Sequence, residues 1–496
     1  MLEYLDLIKI CYSSVLYFPL NISQVLQMDQ SLSEATQTQE NTNWELALNH
    51  FENLIATGSE ALQVKAIINL SRLYNCAPER ILICTVPILV ELLDTSCTTT
   101  SDVVLKASAY CLKCIACEGE GRLAVSIGQS GAIHRILCLL PRAEVGLQKV
   151  LLKCLRNLVA FDGPNRVNVV RIGGLKVIID MLNSCPDVLR PLLLDILSSL
   201  ALLREVRRSI YNLRVVRLLV ESGKVGNMAS RTRAAQAIGL LGLVKRARRD
   251  LVNAGAIEVL VDLLRNGNTS TKIVAGNALG VISSHVEYIR PVAEHGVIPL
   301  YAELLQEQEP LGKEIAEDVF CILAVTDTNA ITIVEHLVTI MRGNDNESVA
   351  AAADVLWDLS SYKHVLPVLH RSGAISLLVE LLRSSEDTNV RENVCGAIAQ
   401  LSCNDAERVL IANLGGISLL ISVLEDESEE LRDNAAQALV NFYEDVLLRD
   451  RMSGAVDHPS FLSMQERMEQ TRGAELRMAA SVRQMTLDEL TWNPGL

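Results

Sequence analysis

A chain of 496 residues carrying a net charge of −14 is long enough for two or three ordinary globular domains, and its acidity argues against wholesale nucleic-acid binding. Apolar residues make up 49% of it but aromatics only 4%, a balance that suits thin layers of helix on helix. Its 13 cysteines are scattered, mostly at apolar helix positions and behind no secretory leader, which reads as a reducing cytosol or nucleus rather than a disulfide framework.

Residues 1–43 read as an N-terminal extension. Leu5–Leu20 is apolar in patches, but Asp6, Lys9 and Pro19 interrupt it. The stretch is shorter than the roughly 20 residues a spanning helix needs, and it lacks the basic opening of a signal peptide. From Met28, a plausible alternative start, the run is polar and disordered in composition. Trp44, Leu48 and Phe51 then form an apolar face suited to capping a stack of helices.

Residues 44–448 repeat themselves. The unit is clearest at Gly415–Phe442: a glycine pair, a helix with Ile417, Leu420, Ile421 and Leu424 at three- and four-residue spacing, an acidic turn, then an alanine-rich closing helix. Openings of this kind fall at residues 131, 173, 215, 255, 296, 337, 373 and 415, spaced 42, 42, 40, 41, 41, 36 and 42. Pro87 stands where an earlier opening would have its glycine. The pattern predicts three helices per repeat, a short first one such as Ala406–Asn413 preceding each glycine. Glycine lets the backbone turn sharply there, and Ser, Asp or Asn before each closing helix, as in Ser384–Asp387, can cap it. About ten closing helices are expected. In residues 449–496, Arg449–Phe461 reads as a linker and Met464–Met485 as a charged helix, free to pack on the last repeat or to lie against the array.

A fixed period near 42 indicates an all-α solenoid of the armadillo or HEAT class. The G-A/G-I-x-x-L-V-x-L-L opening and the A-x-x-A-L-x-N-L closing helix resemble armadillo repeats over roughly Leu46–Phe442, whereas HEAT repeats lack the glycine-led opening. The arrays look closest to those of plant U-box proteins and yeast vacuolar Vac-eight-type proteins, although nothing here resembles a U-box. The resemblance implies a right-handed superhelix that acts as a non-catalytic scaffold or adaptor. Its concave groove, lined by the third helices, would hold an extended or helical segment of a partner protein, or this chain's own C-terminal tail. Two alternatives are a substrate-recruiting role beside a ubiquitin ligase and a membrane-tethered organiser. For the latter, Leu2 occupies the place where myristoylation needs glycine.

The resemblance also implies an asparagine near the end of each third helix. A carboxamide both donates and accepts, so it can hold a peptide main chain of any sequence. Aligned on A-L-x-N, that position is Asn69, Cys114, Asn157, Ser199, Leu240, Val281, Ile322, Asp358, Gln400 and Asn441. Asn69, Asn157, Ser199, Asp358, Gln400 and Asn441 are the candidate peptide holders; Leu240, Val281 and Ile322 suit an apolar helix or the core. Import adaptors of the importin-alpha type place tryptophan four residues earlier. Here that row holds Lys65, Tyr110, Lys153, Asp195, Gln236, Asn277, Asp318, Asp354, Gly396 and Gln437, with Trp357 out of phase, so nuclear-signal binding is not expected. Lys65 and Lys153 against Asp318 and Asp354 predict a groove basic near its start and acidic toward its end.

Charge is uneven along the chain. Arg204–Arg249 holds twelve basic residues against Glu205 and Glu221, and Pro299–Ser361 holds twelve acids against Lys313 and Arg342. Arg231 and Arg233, with Lys245, Arg246, Arg248 and Arg249 beyond the same helix, are candidates for capturing phosphate or an acidic peptide. Only Tyr211 interleaves, so no nucleic acid is expected.

Cys111, Cys114 and Cys117 form C-x-x-C-x-x-C, but on one helix the outer two point roughly 120° apart. They read as packing residues, Cys114 as an exposed thiol. Ser222-Gly223-Lys224 is no phosphate loop, because Leu218 stands where its first glycine belongs. No catalytic motif, metal set or cofactor site is expected, no membrane span is expected, and the cytoplasm, with the nucleus as a second place, is the expected location.

Overall fold

The computed structural model describes residues 43–94 and 101–484. Leu5–Leu20, Met28 and Trp492 lie outside that range. All regular structure among the described residues is helical. The chain divides into two compact units, Met1–Tyr288 and Ile289–Leu496.

In the first unit the closing helices are Glu60–Leu73, Asp102–Cys117, Val145–Phe161, Arg190–Ala201, Met228–Gly242 and Thr269–Ser283. Each packs against the next, and the seams bury Leu112, Leu151, Leu155, Leu193, Ile238 and Leu279 completely. Each such leucine contributes roughly 1.5–3 kcal/mol of burial. The stack begins with Trp44–Ala56, where Phe51 is buried and Trp44 and Leu48 are half-buried. This is the apolar face expected of a cap.

The second unit has four closing helices: Pro310–Leu323, Asn346–Leu359, Thr388–Leu401 and Glu429–Glu444. Tyr301 and Phe320 are fully buried and meet edge to face with centroids 6.2 Å apart.

The repeated glycine marks the corner between the first and second helices. Gly131, Gly173, Gly255, Gly296, Gly373 and Gly415 all sit at second-helix N-caps with φ between 71° and 90°, a region costly for any residue with a Cβ. At Gly415 the corner turns the chain by 84° between Asp405–Asn413 and Gly416–Val423. Where glycine is missing, the corner fails or is strained. Glu79–Glu91 runs unbroken through Pro87, so Pro87 does not open a new helix as expected. Asp327–Met341 is likewise continuous through the expected opening at residue 337. At Arg214 the corner survives, with arginine itself at φ 56°. The caps follow the sequence: Ser101, Asn227, Asn268, Asp345, Asp387 and Ser428 each accept a backbone N–H of their closing helix.

The expected linker is packed instead. A 3₁₀ turn, Arg449–Met452, follows the last closing helix. Met452, Ala455 and Phe461 are buried, and Arg451 Nη2 donates to Ala412 O at 2.8 Å. The final helix, Pro459–Gln484, lies along Glu429–Glu444. Phe461 stacks edge-on against Tyr443, Arg467 pairs with Asp433 at 2.9 Å, and Arg472 pairs with Glu444. Without this helix the last seam would face water, which is why the chain spends a helix there.

Candidate interaction surfaces on the closing helices

The three asparagines at one repeat position have different surroundings. Asn69 is exposed. Asn157 is fully buried: its Nδ2 donates to Lys113 O at 3.3 Å and to Cys117 Sγ at 2.7 Å, while Arg156 donates to its Oδ1. Asn441 is also buried and donates to Ser402 Oγ at 2.9 Å, to Ala399 O and to Cys403 Sγ. Asn157 and Asn441 therefore stitch each closing helix to the end of the previous one. Expected as open peptide holders, they have their donors turned into the seam. Ser199 is buried too, its hydroxyl donating to Asp195 O at 3.0 Å. Cys114, expected to be an exposed thiol, is buried in the seam. Asp358 is exposed and Gln400 half-buried, leaving these two and Asn69 accessible.

The position four residues earlier is more open. Lys65 and Tyr110 are exposed; Lys153, Gln236, Asn277, Asp318, Asp354 and Gln437 are half-buried. Gly396 breaks the row for a reason the sequence did not disclose. A Cβ there would lie 2.5 Å from the indole of Trp357, so the missing side chain makes room for the half-exposed tryptophan of the preceding closing helix. In the first unit a narrow hollow of about 30 Å³ opens beside Leu240, between Gln236 and Asn277. Gly239 and Ala278 both line it, and the absence of a side chain on Gly239 lets the two helices approach closely, since a Cβ there would lie 3.1 Å from that of Ala278.

Carboxylates crowd the closing-helix face of the second unit. Burial, then the charges of Asp354, Asp358, Asp318 and Glu314, push Glu317 up to about 7. Burial, then Asp358 and Glu430, push Asp354 up to about 6. Desolvation also raises Asp358, against a weak bond from Cys321 Sγ. Among the described residues, Glu317, Asp354 and Asp358 have no cation within ion-pair distance.

The basic block separates into structural and open arginines. Arg207 Nη1 donates to Ala201 O and Leu202 O, and Arg248 Nε donates to Gly242 O at 2.7 Å. Arg166 and Arg408 make the same bond to the carbonyls ending their preceding closing helices. This satisfies helix C-terminal carbonyls that would otherwise be orphaned. The signal was legible: arginine recurs at 166, 207 and 248. Arg231 is committed to Asp262 and Gly223 O, and Arg233 to Asp195 at 3.6 Å. Arg231, Arg233 and Arg248 are therefore not the open anion site expected. The exposed cations are Arg204, Arg208, Arg214, Arg217, Lys224, Lys245, Arg246 and Arg249, of which Lys224 pairs with Glu221.

Among the described residues, no cluster of His, Cys, Asp or Glu is arranged to hold a metal, and no single helix is long and apolar enough to cross a membrane.

The sequence pattern described as armadillo/beta-catenin-like repeat matches residues 245–284 and 366–403. No curated protein matches the chain. Its structure is similar to that of an engineered protein solved by a structural genomics consortium, at 23% identity and a TM-score of 0.64, covering 80% of this chain and 98% of the other. A second engineered protein matches at 25% identity over 46% of this chain and 95% of its own, with a TM-score of 0.37.

Proposed function

Since this is an armadillo-repeat protein, we propose that it is a non-catalytic interaction scaffold whose closing helices receive a segment of a partner protein. Such repeats generally serve as protein-interaction surfaces, and a stack of helices offers an extended face rather than an enclosed, water-excluding cleft. In the second unit the segment is basic. The observation behind this is the crowded row Glu317, Asp354 and Asp358 with no ion-paired cation among the described residues; burial and neighbouring carboxylates hold Glu317 and Asp354 above ordinary carboxylate pKa values, and desolvation raises Asp358. Such charge costs folding energy, and a lysine- or arginine-bearing segment would relieve it. Trp357, half-exposed beside these carboxylates, adds an aromatic face for a cation. Asp358 and Gln400 are the accessible groups at the peptide-holding position there, as Asn69, with Lys65 nearby, is in the first unit. The eleven described cysteines are free thiols, which accords with work in the cytoplasm or nucleus.

The test is affinity capture with mass spectrometry, comparing wild type with Glu317→Gln, Asp354→Asn and Asp358→Asn combined. Partners carrying basic segments should drop out of the variant, and out of wild type at high salt, while helix content stays unchanged. Persistence of every partner would overturn the reading. Ligase subunits lost with the same substitutions would make substrate recruitment the scaffold's task.

A further inference from the structure

The corner at Arg214 carries an inference that goes beyond the closing-helix face. Among the described residues, six corners between first and second helices use glycine at positive φ, and Arg214 alone of the non-glycine residues adopts it, at 56°. Glycine would make this turn without strain, so the turn does not explain the guanidinium. The residue stands at an open cleft of about 720 Å³ between the first helices of two neighbouring repeats, Arg204–Asn212 and Lys245–Asn253. Tyr211, Asn212, Arg214, Arg217, Asp250 and Asn253 line it.

The balance of charge in the cleft is positive. Asp250 is its one carboxylate, and it accepts a hydrogen bond from Tyr211 Oη at 2.8 Å with Arg249 3.9 Å away. Arg214 and Arg217 are exposed and make no ion pair among the described residues. Arg246 and Arg249 are close enough to act on the Tyr211 hydroxyl. Guanidinium forks that are not spent on carboxylates suit phosphate oxygens in geometry and in charge.

We infer that this cleft binds a phosphorylated segment of a partner protein, with Arg214 and Arg217 holding the phosphoryl group and the carboxamides of Asn212 and Asn253 holding the main chain beside it. The recess favours a peptide over a lipid surface, because a flat membrane would meet the rim of a concave site rather than its interior. Guanidinium pairing of this kind is charge-assisted and bidentate, so losing both forks should be felt strongly.

The experiment offers the immobilised full chain a degenerate phosphoserine peptide library, the same library unphosphorylated, and phosphatidylserine-containing vesicles. Wild type should retain the phosphorylated library at least about tenfold over its twin. Arg214→Gly plus Arg217→Gln should abolish that preference. A charge-matched control at two exposed arginines elsewhere, Arg72→Gln plus Arg142→Gln, should keep it. Arg214→Gly alone should weaken capture while raising the denaturation midpoint, which separates loss of the site from loss of the fold. Equal retention of both libraries, a preference that survives in the double variant, or retention of vesicles without peptides would overturn the proposal.

Discussion

Asn157→Ala tests whether the repeated asparagine serves the fold or a partner. Truncation removes the donations to Lys113 O and Cys117 Sγ and strands the Arg156 guanidinium that donates to the same carboxamide. Each net hydrogen bond is worth about 1 kcal/mol, and a buried polar group left unpaired costs about 1–3 kcal/mol. The expected loss is therefore roughly 2–3 kcal/mol for Asn157→Ala, and about 2 kcal/mol for Asn441→Ala, whose donor serves Ser402 Oγ and Ala399 O. Asn69→Ala, at an exposed position, should stay within about 0.5 kcal/mol. Urea denaturation followed by circular dichroism gives the three midpoints. Hydrogen exchange across Asp102–Cys117 and Thr388–Leu401 reports opening of the two seams separately, which matters because repeat arrays need not unfold in one step. If Asn157→Ala behaved like Asn69→Ala, or lost partners with its midpoint unchanged, the side chain would not be tied into the seam as described.

Arg214→Gly should stabilise the first unit: relief of a left-handed arginine gives roughly 1–2 kcal/mol, and glycine's looser unfolded state takes back about 0.4–1 kcal/mol, a net gain near 1 kcal/mol measurable by urea midpoint. Glu317 has a folded pKa raised to about 7 from 4.5, so its protonated form favours the fold; that stability is full below about pH 4.5 and is lost as pH rises through 7. Glu317→Gln should accordingly gain on the order of 1 kcal/mol over wild type at pH 8, discounted for partial exposure, and little at pH 5. Equal midpoint differences at both pH values would contradict the raised pKa. Phe461→Ala should release the final helix, at a cost of roughly 3–5 kcal/mol at that seam. Faster exchange at the amides of Glu429–Glu444 would show it, while Asn346–Leu359 stays protected.

Local chemistry alone determined the repeat, its period and its corners. Glycine at 131, 173, 255, 296, 373 and 415 takes positive φ wherever it occurs, and the Ser, Asp and Asn caps act within three residues of themselves. These are properties of a short stretch of chain, so they are legible in it. Packing beyond the local stretch, mostly by neighbours one repeat away, decided the rest. Asn69, Asn157 and Asn441 share one sequence position, yet only the packing of the adjacent closing helix makes the first open and the other two internal. Arg207 and Arg208 are adjacent in sequence; one turns under to cap a helix end and the other faces water. Trp357 looked out of phase on its own helix, and Gly396, 39 residues later, made the space it occupies. Burial along these seams is set by what lies across them, and between closing helices that partner is about forty residues distant in the chain.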